Sequence, residues 1–164
     1  KSKERSEPTI DTYFEIGIPK NYMPDQADRL SFYTALFSIL KIDEVDELKD
    51  EMKDRFGKFP PVVEHLIDAA VLRFFASYAL FERIVVQKNK ITFILPKGDR
   101  EDFYQNKFAL LLDFINGKYS RDVKFIQNES VLKLEMNNKF DTPEKVMSYL
   151  IKFCKEVSEV LSNN

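Results

Sequence analysis

The chain has little of what most catalytic and metal sites are built from. Its 164 residues contain one histidine, one cysteine, four glycines and no tryptophan. A structural zinc site takes four Cys or His ligands, and His65 and Cys154 supply only two. A single cysteine cannot close a disulfide within the chain, which excludes the small secreted scaffolds held together by such bonds.

The glycines are too widely spaced for a phosphate-binding loop. They are Gly17, Gly57, Gly98 and Gly117. The P-loop and the dinucleotide fingerprint both need several glycines within a few residues, so neither is present. A nucleophilic triad would depend on His65 or dispense with histidine, and nothing in the surrounding sequence orients that side chain. We therefore expect His65 to be partly buried or at the surface and Cys154 to be a small core residue, and we predict no catalytic, cofactor or metal residues.

Charge and hydropathy predict a cytoplasmic protein with no membrane association. The net charge is −2 and the isoelectric point is about 5.6, so no overall positive field attracts nucleic acid. No apolar run reaches the roughly 18 residues of a membrane span, because charged residues interrupt even the most apolar stretch, 62–81. Residues 1–9 are polar and lack the apolar core of a signal peptide, so we interpret them as a linker from upstream domains. Residues 10–164 are expected to form the folded domain.

The first half of the domain predicts one strand and three helices. Residues 10–18 are rich in β-forming residues and end at Pro19, which cannot continue a hydrogen-bonded ladder. Asp25 is the expected N-cap of the first helix. Helical periodicity predicts helices over about 26–40, from Asp43 to a stop at Gly57, and from Pro60 to about Phe81.

The second half predicts two successive strand–strand–helix units. The first has a hairpin over 83–95 around Asn89 and a helix over about 101–116, with Gly117 as its stop. The second has a hairpin over 123–135 and a last helix that begins with Thr142 as cap and Pro143 in its first turn. Hairpins pair their strands antiparallel. We therefore predict a two-layer α+β domain with antiparallel hairpins and about five helices.

The second predicted helix carries apolar and acidic residues on opposite faces. At about 100° per residue, the apolar stripe consists of Val45, Leu48, Met52 and Phe56. The carboxylates of the other face are Glu47, Asp50, Glu51 and Asp54. A solvated surface explains such a face. A divalent ion is disfavoured because one helix face offers few converging oxygens. Among functional interpretations, a basic partner protein fits best.

The end of this helix supports the partner hypothesis. Glu51 and Asp54 lie near the negative end of the helix dipole, where each anion is disfavoured by roughly 0.3–1 kcal/mol. Arg55 follows Glu51 by four residues and offsets part of this effect. A locally unfavourable residue indicates function when a partner supplies the compensation.

Two other functional hypotheses stay open. A nucleic-acid module could use the cations that flank two turns, which are Lys88, Lys90, Lys118 and Arg121. A hydrolytic or metal-assisted enzyme would rest on the acidic face alone and would need paired carboxylates in a concave pocket. The phenylalanines are mostly periodic, which indicates core packing, although some could form an exposed docking patch.

Several local motifs together resemble a known family. They are Ile18-Pro19, Tyr22-Met23-Pro24-Asp25, Arg29-Leu30-Ser31-Phe32-Tyr33 and the run from Glu51 to Pro60, which contains Asp54-Arg55-Phe56-Gly57. In this order they resemble the C-terminal domain of the bacterial transcription-repair coupling factors, the Mfd family. The similarity covers about residues 10–85, and beyond it only element order and length correspond. Phe81 departs from the family pattern, which commonly has glycine there.

The resemblance implies a function in transcription-coupled DNA repair. Members of this family are ATP-dependent DNA translocases that displace stalled RNA polymerase and recruit nucleotide excision repair through UvrA. Their ATP- and Mg-binding motor lies before this domain, and the resemblance implies no enzyme activity or cofactor here. The C-terminal domain is expected to act as an autoinhibitory clamp that packs on the N-terminal UvrB-like module and masks UvrA binding. By position, the contact residues would be Glu51, Asp54 and Arg55, supported by Glu47 and Asp50.

Overall fold

A computed structural model describes residues 4–162 as an α+β fold with a mixed five-stranded sheet. In chain order the elements are β1 (Thr9–Thr12), α1 (Gln26–Leu36), α2 (Asp43–Phe56), α3 (Pro61–Tyr78), β2 (Arg83–Val86), β3 (Lys90–Ile94), α4 (Glu101–Asn106), α5 (Phe108–Lys118), β4 (Val123–Asn128), β5 (Val131–Asn137) and α6 (Pro143–Ser162). The predicted two-layer α+β class is confirmed, with six helices in the described part of the chain. None of its helices is long and apolar enough to cross a membrane.

The sheet contains both predicted hairpins and one parallel pair. Its strand order is β1-β2-β3-β5-β4, and the β2–β3, β3–β5 and β4–β5 pairs are antiparallel. β1 instead runs parallel to β2, with Ile10 beside Ile84. Since parallel neighbours need a long crossover, α1, α2 and α3 all lie between β1 and β2 in the chain.

Two buried clusters divide the interior, and α3 contributes to both. The larger cluster packs the sheet against the second half of α3, α5 and α6, where Phe81, Phe93 and Phe153 contact one another. The smaller cluster packs α1 and α2 against the first half of α3, around Met52 and Leu66. α3 therefore joins the sheet to the helix pair α1 and α2, and α2 bears the predicted acidic residues.

Several predicted helix ends are confirmed. The Asp25 carboxylate accepts a hydrogen bond from the Ala27 amide at 2.7 Å, and the Thr142 hydroxyl accepts one from the Lys145 amide at 3.2 Å. α2 starts at Asp43 and is capped by Gly57. Gly57 has φ +90° and ψ −165°, an extended conformation of positive φ rather than the left-handed helical one.

The strand predicted over 10–18 is wrong beyond Thr12. The Thr12 hydroxyl donates to the Phe14 carbonyl at 2.6 Å, and the chain then leaves the sheet. The Gly17 amide bonds to the Val62 carbonyl, and Ile18 is buried in the smaller cluster. These β-forming residues therefore connect the sheet to the helices.

Two predicted helices end earlier than expected. The first stops at Leu36 and not near 40, and the carbonyl of the next residue, Phe37, accepts a hydrogen bond from the Arg73 guanidinium. The third stops at Tyr78 and not at Phe81. Leu80 then has a positive φ of +64°, and β2 begins three residues later, at Arg83.

The helix predicted over 101–116 is two helices. The break lies at Lys107, whose ammonium group donates to the Leu161 carbonyl in α6 at 2.6 Å. Gly117 is not the stop, because α5 continues to Lys118. The six helices arise from this break.

Part of the segment 1–9, predicted as a linker, contacts the folded domain. The Ser6 amide bonds to the Ser77 carbonyl at 2.8 Å, the Ser6 hydroxyl bonds to the Phe81 carbonyl, and Thr9 begins β1. Residues 1–3 lie outside the described residues, as do residues 163–164 of the predicted domain.

Candidate interdomain interface

The apolar stripe of α2 attaches the helix to the domain as predicted. Val45 and Met52 are buried, and Leu48 and Phe56 are partly buried against the smaller cluster. The Tyr22 hydroxyl donates to the Gly57 carbonyl at 2.8 Å, which anchors the end of the helix. This packing leaves the opposite face of α2 directed to solvent.

The predicted carboxylates lie on that outer face. Glu47, Asp50, Glu51 and Asp54 are all exposed. Within residues 4–162, no carboxylate, histidine or cysteine group is arranged to hold a metal ion. The exposed helix face also contradicts the carboxylate-enzyme hypothesis, which required these side chains in a concave pocket. We name these four residues the acidic face.

Arg55 connects the end of α2 to the start of α1. Its guanidinium contacts Asp28 at 3.3 Å and Glu51 at 3.0 Å. The same group lies over the rings of Phe56 and Phe32, at 4.9 and 5.6 Å from their centroids. The hydrogen bonds that the guanidinium donates to the carboxylates of Glu51 and Asp28 raise the pKa of Arg55. A planar guanidinium suits such a two-carboxylate contact better than an ammonium group.

This geometry corrects the expected charge balance at the end of α2. Glu51 is paired with Arg55, so it is not the uncompensated anion that the helix dipole alone suggests. In the described chain, Asp54 has no cation within ion-pair distance, and neither have Glu47 and Asp50. The outer surface therefore combines three unpaired carboxylates with an arginine of fixed orientation.

Asp28 also belongs to this surface, but it was not identified from the sequence, because there it is only an acidic residue in the first turn of α1. α1 and α2 are consecutive helices joined by a short connection. If they run antiparallel, the first turn of α1 lies beside the last turn of α2. That topology was the available signal for an Asp28–Arg55 contact.

The cations of the nucleic-acid hypothesis are partly neutralised. Lys90 lies 3.7 Å from Glu135, and Lys118 is paired with Glu156. Tyr119 also donates to Glu156, which together with burial raises the pKa of Tyr119. Only two of the four proposed cations, Lys88 and Arg121, have no ion pair in the described part of the chain.

The single cysteine is a core residue, as predicted, and the single histidine is partly buried. Cys154 is fully buried in the larger cluster, and burial raises the pKa of its thiol. His65 is in α3, its Nε2 is 2.6 Å from an oxygen of Glu144 in α6, and its ring meets that of Phe14 edge-on. Neither lies on the acidic face.

Comparison with known proteins agrees with this architecture. A family model described as "TRCF domain" matches residues 12–106. The transcription-repair-coupling factor of Bacillus subtilis is 25% identical over 157 residues, which is 96% of this chain and 13% of that protein. The Escherichia coli factor is 41% identical over 56 residues, 34% of this chain and 5% of that protein.

A solved structure shares the whole fold. The crystal structure of the C-terminal domain of transcription-repair coupling factor superposes with a TM-score of 0.79 at 18% identity and covers 99% of this chain and 98% of that one. The chain matches nearly all of that solved domain but only a small part of the full-length curated relatives, 13% of the Bacillus subtilis factor and 5% of the Escherichia coli factor. The family match includes α1, α2 and α3, and so contains the acidic face and Arg55. The resemblance in the sequence motifs is confirmed: this chain belongs to the TRCF domain family.

Proposed function

We propose that this TRCF domain is a non-catalytic regulatory domain of a DNA-repair translocase. In this role α2 docks on a basic surface of the N-terminal UvrB-like module of the same polypeptide. The observation that supports the proposal is the exposed outer surface of α2, where Asp54 has no cation of its own and Arg55 is held between two carboxylates.

The charges on this surface suit a releasable contact. Complementary charge sets the register and the association rate of an interface more than its final affinity. Arg55 is already oriented by Asp28 and Glu51, so little side-chain entropy is lost when a partner binds. A coupling energy of about 1–3 kcal/mol between domains is enough to change a partner's affinity roughly 5–150-fold.

The docked domain would mask the UvrA-binding surface and restrain the motor until RNA polymerase is engaged. DNA, ATP and Mg²⁺ would bind elsewhere in the parent protein. This role in DNA repair also requires a cytoplasmic location, as the charge and hydropathy of the chain predict.

The decisive variant reverses two charges in the full-length parent. Glu51→Lys with Asp54→Lys should raise UvrA binding and basal ATPase activity, because like charges would then meet across the contact. A matched control, Glu101→Lys with Asp113→Lys, makes the same charge change at exposed sites outside α2. A folded double variant with unchanged UvrA binding and ATPase activity would refute the proposal.

A binding assay isolates the contact itself. The 164-residue chain should retain the N-terminal module of the parent in a pull-down, and the Glu51/Asp54 double reversal should lose it. The control pair Glu101/Asp113 should retain it. Equal retention by all three forms would show that α2 is not the contact surface.

A further inference from the structure

A second charged surface, of opposite sign, lies in the crevice between α2 and α3. Lys49 and Lys53 of α2 and Lys58 after it line this crevice together with Phe59. They bound a cavity of about 290 Å³, whose α3 wall includes Glu64 and Asp68. We name Lys49, Lys53, Lys58 and Phe59 the lysine groove. Its cations flank the apolar stripe on the side away from Arg55.

The lining of this cavity carries three lysines against two carboxylates, Glu64 and Asp68. Burial raises the pKa of Asp68, and the nearby charges of His65 and Lys49 oppose that shift, so the charge of Lys49 acts on Asp68. Lys53 lies 5.3 Å from the centroid of the Phe59 ring. Across residues 4–162, neither Lys53 nor Lys58 has a carboxylate within ion-pair distance. Both ammonium groups are therefore available to an incoming anion.

The groove continues into a rigid apolar trough. A second cavity of about 500 Å³ shares Lys58 and Phe59 and is otherwise walled by Pro19, Asn21, Tyr22, Pro60 and Pro61. The Tyr22 hydroxyl is fixed on the Gly57 carbonyl, and proline rings have little freedom to lose. A wall of this kind binds an extended peptide at a low entropic cost.

The dipole of α2 explains only part of this arrangement. A cation in the last turn of a helix is favourable, which accounts for Lys53. Lys58 lies beyond the helix, beside Phe59 and the proline wall. The helix dipole acts mainly within the last turn, so it does not account for Lys58, which lines both cavities.

We propose that the lysine groove binds an extended acidic segment of a partner protein. One carboxylate would lie between Lys53 and Lys58, and a neighbouring proline or aromatic side chain would follow the trough. A nucleic acid is disfavoured because it carries a phosphate on every nucleotide, whereas, among the described residues, the trough is lined by no cation other than Lys58. This goes beyond the proposed clamp, whose contact needs a basic partner and uses the other side of α2.

The test uses the 164-residue chain and a short fluorescent peptide rich in glutamate that also contains phenylalanine and proline. Anisotropy should report salt-sensitive binding to the wild-type chain. Lys53→Glu with Lys58→Glu should weaken it about tenfold or more, the effect of replacing two favourable exposed pairs by repulsive ones. The control Lys88→Glu with Lys97→Glu changes the net charge equally at distant exposed sites and should bind like the wild type.

The outcomes separate this proposal from the clamp and from nucleic acid. If the glutamate variant fails to fold, Lys53→Gln with Lys58→Gln provides the same comparison and should also lose binding. Glu51→Lys with Asp54→Lys should keep the peptide, whatever its effect on UvrA binding. No binding by the wild type, equal loss in the Lys88/Lys97 control, or tighter binding of single-stranded DNA than of the peptide would each overturn the proposal.

Discussion

The conformation of Gly57 leads to a quantitative prediction about the end of α2. Its φ of +90° and ψ of −165° belong to a region that is almost restricted to glycine. A Cβ atom at this position would meet no heavy atom within 4 Å. Gly57→Ala therefore tests the backbone alone, without a steric clash, and such strain costs about 1–3 kcal/mol.

The backbone has no easy escape from this strain. If residue 57 rotates to an ordinary conformation, its carbonyl leaves the Tyr22 hydroxyl, which now donates to it at 2.8 Å. A hydrogen bond of this kind contributes about 0.5–1.5 kcal/mol. Whichever route the chain takes, we expect Gly57→Ala to lower the free energy of unfolding by about 2 kcal/mol. For a chain of this size that corresponds to a fall in Tm of roughly 4–8 °C.

Gly117 provides the matched control because it also has open space around it but lies inside α5 at negative φ. Gly117→Ala should raise stability by about 0.5–1 kcal/mol through helix propensity. Urea unfolding of both variants, followed by circular dichroism, gives the two values. If Gly57→Ala is as stable as the wild type, the assigned conformation of Gly57 is wrong, and with it the placement of the α2 end.

Three further predictions concern contacts within the folded domain. The hydrogen bond from His65 lowers the pKa of Glu144, so this pair stabilises the fold above pH 4.5, the ordinary pKa, and its stabilisation is lost as the pH falls through the lower folded value. In urea unfolding, the free energy of unfolding of Glu144→Gln should therefore fall less steeply with decreasing pH than that of the wild type. An equal pH dependence would contradict this prediction. Cys154→Ser buries a hydroxyl and should lower the free energy of unfolding by about 1–3 kcal/mol. The wild-type thiol should react with a thiol reagent only when the protein unfolds, and rapid reaction of the native protein would contradict its burial. Arg73 donates to two backbone carbonyls at 2.8 Å, so Arg73→Ala should lower the unfolding free energy by about 1–3 kcal/mol, and a neutral effect would show that water replaces the guanidinium.

The sequence predicted those helix ends and helix faces that depend on residues close together in the chain. Asp25 and Thr142 cap their helices because short polar side chains reach the free amides of the first turn. The apolar stripe of α2 is buried and its acidic face exposed, since the helical period alone separates them. These features depend on neighbours within one or two turns, which a single sequence contains.

Contacts between distant residues were not predictable in the same way. The parallel pairing of Ile10 with Ile84 depends on the path of three intervening helices. The break at Lys107 is coupled to a carbonyl at Leu161, far along the chain. Residues 13–18 have strand propensity, but burial of Ile18 among the helices overrides it.

The surface around α2 shows how such distant contacts change an interpretation. From the sequence, Glu51 and Asp54 are alike, since both are anions near the negative end of α2. The contact of Arg55 with Asp28 makes them different: Glu51 helps to hold an arginine, whereas Asp54 stays available to a partner. On the other side of α2, the lysines follow the apolar stripe into the crevice with α3. A partner that fits the outer face must therefore be basic, and one that fits the crevice must be acidic. Two charge-reversal variants, Glu51/Asp54 on α2 and Lys53/Lys58 at its end, can thus separate the two proposed contacts.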